Sequence, residues 1–390
     1  MNMLDLDGPV LETVEMHTCG EPTRIVTKGY PKLQGTLLQQ RRQAKEQYDH
    51  LRRRLMLEPR GHADMYGAIL IQETELVSSD EADIGVLFCH CEGYSQMCGH
   101  GTIALGRFLI DTDDLTIFPR RKQVQFSAAD RTASLNLHAP CGLVRVIVPT
   151  TSDGSKADGS RPVSFVSVPS FATALGRSLP IKDRDAWLAL TGRGPPHAVT
   201  IDIAYGGAFY ALVSVEELGL GDRLQELDFD TTKKIAMIIK QSVVETYPDL
   251  CQHQSLSSDQ CGLYSVIIMD KETGRPSKDT VGAELGLCMF ANGQIDRSPT
   301  GSGVTARVAA AYGAGKRKLT DKWTYHSLVS HLNNGSGAFL ASIAEEVTIT
   351  TAARNTTSAV TVLVEGQAFY LGKSSFISER EDTLGRGFLL

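Results

Sequence analysis

The chain has 390 residues, 42% of them apolar and 22% charged, with a formal net charge of −6. That length suggests about two or three ordinary domains rather than one core. The balance is that of a globular protein, and no basic stripe marks a nucleic-acid or membrane-surface partner. The longest apolar runs, such as VLFC and FYALVSV, are strand-sized and too short to span a bilayer.

The N-terminal stretch MNMLDLDGPV is acidic and lacks the basic start and apolar run of a signal peptide, so a cytoplasmic location is expected. The terminal GRGFLL carries no retention or lipidation signal. The eight cysteines Cys19, Cys89, Cys91, Cys98, Cys141, Cys251, Cys261 and Cys288 are thinly spread, which favours reduced thiols over a disulfide framework.

In chain order, residues 12–27 read as an alternating strand, a Gly-Glu-Pro turn and a second β-rich run. Residues 36–57 form a charged helix pattern that Pro59 and Gly61 end. Strand patterns follow at 67–72 and 84–91, then a helix from near Cys98, then strands at 123–127, 132–138 and 143–148. Residues 151–162, rich in Ser, Asp and Gly, read as a surface loop or domain boundary. A second β-rich half opens at VSFVSVPSF, with alternation over 199–215, a helix at 231–245 and strands near 263–269 and 285–290. A helix after Thr300 and strands at 345–350, 359–364 and 367–372 complete it. The repeated order points to a duplicated unit.

The two glycine loops carry the chemistry. MCGHGTIALGRFL and SPTGSGVTARVAAAY each place a reactive-type side chain, Cys98 or Thr300, before a Gly-x-Gly that opens a helix. A helix start favours a thiolate and leaves backbone N–H groups for a bound carboxylate. In the second loop Asp296 adds an acceptor for a protonated amine. Two helix starts and one carboxylate together describe an amino-acid binder.

Two competing motifs are discounted. Cys89, His90 and Cys91 alternate along a strand, with both thiols on one face, and with Cys98 and His100 match no standard zinc spacing. GAGKRK at 313–318 sits at a helix end and lacks the Ser or Thr of a phosphate loop, so it reads as a glycine C-cap with basic residues. Glu21 and Glu58, beside prolines, read as turn or supporting residues.

HTCGEPTRIV, EPRGHADMYGAIL, MCGHGTIAL, DIAYGGAFYALV and DRSPTGSGVTAR resemble, in order, the blocks of the proline racemase family, from about residue 12 to GKSSFISERED. The resemblance implies an α/β (α+β) fold like that of diaminopimelate epimerase. Two pseudo-symmetric domains would each wrap strands around a central helix, with the active site in the cleft between them. The domains would be 1–162 plus 373–390, with the Cys98 loop, and 163–372, with the Thr300 loop. It further implies a homodimer acting on a small-molecule substrate, with no cofactor and no metal.

Racemases of the family carry cysteine at both loop heads, whereas this chain has Thr300 at the second. A threonine hydroxyl is too weak an acid or base to replace a thiol. The Cys/Thr pair is similar to the trans-3-hydroxy-L-proline dehydratase branch. Carried over, Cys98 is the proton acceptor, and Thr300 and His100 complete the catalytic set. Gly99, His100, Gly301 and Ser302 contact the substrate carboxylate, Asp296 its ring nitrogen and Phe290 its ring. Alternatives are a 4-hydroxyproline epimerase, a proline racemase with an unusual second acid, or a non-catalytic imino-acid binder. Cys19 fills a position that is Gly or Ala in the family's first block; packing is its expected role, and a second thiol near the cleft is the alternative.

Overall fold

The computed structural model describes residues 10–221, 223–350, 355–379 and 381–389. Most of the N-terminal stretch and the last residue of GRGFLL therefore lie outside the described residues. The fold is a mixed α/β one of two compact units, Met1–Ser164 with Gln367–Leu390, and Phe165–Gly366.

The first unit opens with an antiparallel hairpin, Leu11–Thr18 and Glu21–Lys28. The turn falls one residue earlier than the Gly-Glu-Pro reading. Cys19 and Gly20 both have positive φ, 55° and 79°, as a tight hairpin turn requires. Glu21 and Pro22 then start the second strand, where a missing N–H is tolerated. Ala368–Phe376 pairs with the other edge of Leu11–Thr18, so the end of the chain returns to the first unit. The sheet continues from Glu21–Lys28 through Tyr66–Ile71, Ile84–His90, Thr132–Ala139 and Gly142–Pro149.

The single helix expected over 36–57 is two, Leu37–Gln47 and Asp49–Met56. Thr36 and Gln39 close a capping box on the first. The second is pinned by buried Arg52, which pairs with Asp49 at 2.6 Å and donates to the His90 carbonyl at 2.7 Å. The strand Ile84–His90 and the residue after it carry Cys89 and Cys91 into an apolar cluster with Leu55, Leu87 and Tyr94. Burial pushes the Cys89 thiol up to about 12 and the Cys91 thiol up to about 11. These are packed, protonated sulfurs, and His90 faces Tyr66 instead, ring centroids 5.5 Å apart.

The helix Gly99–Asp111 is buried along its length except at Arg107 and Asp111. A helix apolar all round belongs inside a fold. Here the hairpin strands, Gly142–Pro149 and the returning Ala368–Phe376 surround it. Gly106 permits that closeness, since a Cβ there would lie 2.6 Å from Val146 and 3.2 Å from Val148.

The second unit has the same plan. Its strands run in the order Phe171–Leu179, Val199–Tyr205, Phe209–Ser214, Leu263–Asp270, Gly282–Phe290, Trp323–His326, Phe339–Thr350 and Thr356–Gly366. The alternation over 199–215 resolves into a hairpin, and the helix expected at 231–245 spans Phe229–Thr246. The helix Gly301–Gly313 is buried without a break from Gly301 to Ala310. It ends as GAGKRK suggests. Gly315 has φ 70°, and the N–H groups of Gly315 and Lys316 return to the carbonyls of Tyr312 and Ala311 at 2.8 and 2.7 Å. No helix among the described residues is long and apolar enough to cross a membrane.

Candidate active site

Cys98 is the N-cap of the first central helix. Its backbone is extended, with φ −139° and ψ 111°, and its sulfur accepts the Gly101 N–H at 3.2 Å. The sulfur thus takes the place of a capping oxygen, at the positive end of the helix dipole. Both ring nitrogens of His100 lie 3.4 Å from it. Cys98 and His100 are each only 3% exposed.

The surroundings fix this pair. Thr102 Oγ1 donates to the Cys98 carbonyl at 2.7 Å, and Thr18 Oγ1 to the His100 carbonyl at 3.0 Å. The Tyr66 ring meets the His100 ring edge-on, centroids 4.9 Å apart, while its hydroxyl pairs with Ser95. Gly101 seats the thiol, because a Cβ there would stand 2.9 Å from the sulfur and 3.0 Å from Phe88. Cys19 is buried in the hairpin turn next to Thr18.

The second loop has the same outline with a different head. Thr300 has φ 64° and ψ 90°, the left-handed region that a β-branched residue seldom enters. Such conformations persist only where neighbours impose them. Here Ser298 donates its N–H to Asp296 Oδ1 at 2.8 Å, and its Oγ accepts the Thr300 N–H at 3.1 Å. Thr300 Oγ1 makes no capping bond and is buried with no hydrogen-bond partner among the described residues. Gly303 matches Gly101, since a Cβ there would reach 2.6 Å from Ile267 and 3.0 Å from the Thr300 methyl.

Val304 is the first residue to donate into the helix ladder, to the Thr300 carbonyl at 2.7 Å. The amides of residues 301–303 are those that a helix start leaves for outside acceptors. The Ser302 hydroxyl is engaged by Tyr210, 2.6 Å away. Burial drives the Tyr210 phenol well above its ordinary value, so it stays neutral. The Ser302 side chain is thus engaged within the unit, while its backbone N–H is one of the helix-start amides.

Cys98, Gly99 and His100 come together in the first unit. Asp296, Thr300, Gly301 and Ser302 come together in the second, all four buried. Phe290 ends the strand Gly282–Phe290, 2% exposed and stacked on Tyr264 at 6.1 Å between centroids. Three supporting residues escaped the sequence reading: Thr18, Tyr66 and Tyr210. They lie inside the quoted blocks, but alternation does not tell which hydroxyl reaches a loop elsewhere. No group of His, Cys, Asp and Glu among the described residues is arranged to hold a metal ion.

A proline racemase family model matches residues 13–389. A trans-L-3-hydroxyproline dehydratase of Xenopus tropicalis is 41% identical over 98% of this chain and 96% of its own. A human trans-3-hydroxy-L-proline dehydratase is 41% identical over 99% and 96%. Among solved structures, a probable proline racemase from Agrobacterium radiobacter with bound carbonate superposes with TM-score 0.75 at 22% identity, covering 97% of this chain and 96% of that one. A hydroxyproline epimerase from Agrobacterium vitis with bound trans-4-hydroxy-L-proline gives 0.73 at 22% identity, covering 99% and 97%. At that identity the structures speak for the fold.

Tyr210→Phe should leave the buried Ser302 hydroxyl without its partner. The expected cost is about 1–3 kcal/mol of stability, read as a lowered midpoint in denaturant unfolding.

Proposed function

The chain belongs to the proline racemase family, and on that premise we propose that it dehydrates trans-3-hydroxy-L-proline to Δ1-pyrroline-2-carboxylate and water without a cofactor. The observation that carries the reading is the inequality of the two loop heads. Cys98 holds a thiol at a helix start beside an imidazole, whereas Thr300 holds only a hydroxyl. Relatives named for this dehydration, similar over almost the full chain, support it.

Racemisation needs an acid and a base on opposite faces of Cα. Elimination needs one base at Cα and a route for the C3 hydroxyl to leave. In the trans substrate the α-hydrogen and the hydroxyl share the face opposite the carboxylate, so elimination is syn. One side of the site then suffices.

In the proposed reaction the Cys98 thiolate takes the α-proton. The charge that develops on the carboxylate is held by the amides of the two helix starts, at Gly99 and His100 and at Gly301 and Ser302. The Cα–H pair becomes the new C=C bond and the C3–O bond breaks. The leaving hydroxide takes a proton from the Cys98 thiol or from His100 and departs as water. The enamine tautomerises to the imine. Asp296 accepts a hydrogen bond from the ring ammonium, Phe290 lies against the ring, and Thr300 serves to hold the substrate. The same reading takes the protein as cytoplasmic and, from the family resemblance, as a homodimer.

Incubation with trans-3-hydroxy-L-proline should give a product lighter by one water in mass spectrometry. Cys98→Ser should lower that rate by at least about 10²-fold, and full turnover in that variant would remove Cys98 from the role of base. Thr300→Cys should add exchange of the α-hydrogen of proline with deuterated solvent from both enantiomers. Its absence would show that position 300 does not address Cα.

A further inference from the structure

Beside the second central helix is a cavity of about 150 Å³, lined in part by Lys271, Glu284, Arg307, Lys316, Arg317 and Trp323. It belongs wholly to the second unit, and its lining includes none of Asp296, Thr300, Gly301 and Ser302. Arg307 lies seven positions beyond Thr300 on the same helix, about two turns.

Arg307 is 3% exposed. Its Nε donates to Glu284 Oε1 at 3.0 Å, while Nη1 and Nη2 are buried with no hydrogen-bond partner among the described residues. Gly286 leaves room for them, since a Cβ there would stand 2.6 Å from Nη1. Two further buried donors in the same lining are also unmatched, Nε of Arg317 and Nε1 of Trp323. The Arg317 guanidinium lies 3.3 Å above the Trp323 ring, and its Nη2 is 3.8 Å from Glu284 Oε2.

These unmatched groups are all donors. An orphaned buried donor costs stability, the more so when charged, so the pocket calls for an acceptor-rich occupant. Its charge agrees. Four cations, Lys271, Arg307, Lys316 and Arg317, face two carboxylates, Glu284 and Asp202. Glu284 is shared between two arginines, and Asp202 Oδ1 already accepts the Gly176 N–H at 2.7 Å. A guanidinium with both terminal nitrogens unmatched suits the paired oxygens of a phosphate or carboxylate.

We propose that this cavity is a binding site for a small oxyanion of phosphate or short-carboxylate size, separate from the substrate loops. Arg307 and Arg317 are its inner ligands and Lys271 and Lys316 its rim. An anion bound there ties the second central helix to the adjoining strands Gly282–Phe290 and Trp323–His326.

The test is thermal unfolding and titration calorimetry of the whole chain with sodium phosphate or sodium acetate, against sodium chloride of equal ionic strength. A saturable heat and a Tm rise of about 2 °C or more at roughly 20 mM phosphate are expected. Acetate matching phosphate assigns the site to carboxylates, and phosphate alone assigns it to phosphates. Because Arg307→Gln endangers folding, the site is located with the inner variant Arg317→Gln and the surface pair Lys271→Gln/Lys316→Gln, each checked by circular dichroism. Both should bind at least about tenfold more weakly. No saturable heat with either anion, or unchanged affinity in both variants, would overturn the proposal.

Discussion

The hydrogen bond from the Gly101 N–H to the Cys98 sulfur fixes the geometry on which the rest of the first unit's chemistry depends. It needs a helix that starts at that point, and the helix exists only because strands cover it on nearly every side. An isolated thirteen-residue segment is near the lower limit for a stable helix in water. Burial therefore does two jobs at once. It holds the helix together, and it fixes one sulfur against one backbone amide with a glycine beneath it. The buried thiols of Cys89 and Cys141 have no helix start to favour their charge, and burial pushes both up to about 12.

The plan of this fold was legible because its main signals are local. Loop-to-helix transitions at Cys98 and Thr300, the alternation of the strands and the glycine C-cap at Gly315 each follow from a few neighbouring residues. What was not legible depends on distant partners. Tyr210 touches Ser302 across 92 positions of sequence, and Thr18 reaches His100 across 82. A strand pattern shows which face a residue takes but not which loop its hydroxyl meets. The break at Tyr48 was hidden because both helices share the charged pattern of 36–57. The hairpin turn at Cys19 was displaced because glycine and proline drew the reading to their own positions, while a non-glycine residue accepted positive φ. Arg307 was lost inside an apolar run, TARVAAAY, where its burial beside Glu284 has no sequence signature.

The two central helices match in length and setting yet differ at the N-cap in both chemistry and backbone. Cys98 caps its helix from an extended conformation, whereas Thr300 stands in a left-handed one with no cap. The duplicated architecture is thus symmetric in its supporting parts and asymmetric where the substrate is proposed to bind. In the proposed elimination that asymmetry is the point, since a second thiol would favour return of the proton over loss of water.

The left-handed backbone at Thr300 has an evolutionary consequence. Asp296, Ser298 and Gly303 impose that conformation from outside the side chain, and the threonine hydroxyl contributes no hydrogen bond of its own to the loop. The residue at this position can therefore change without dismantling its scaffold. On the proposed mechanism, one codon change there exchanges one reaction for another, with the surrounding loop inherited intact.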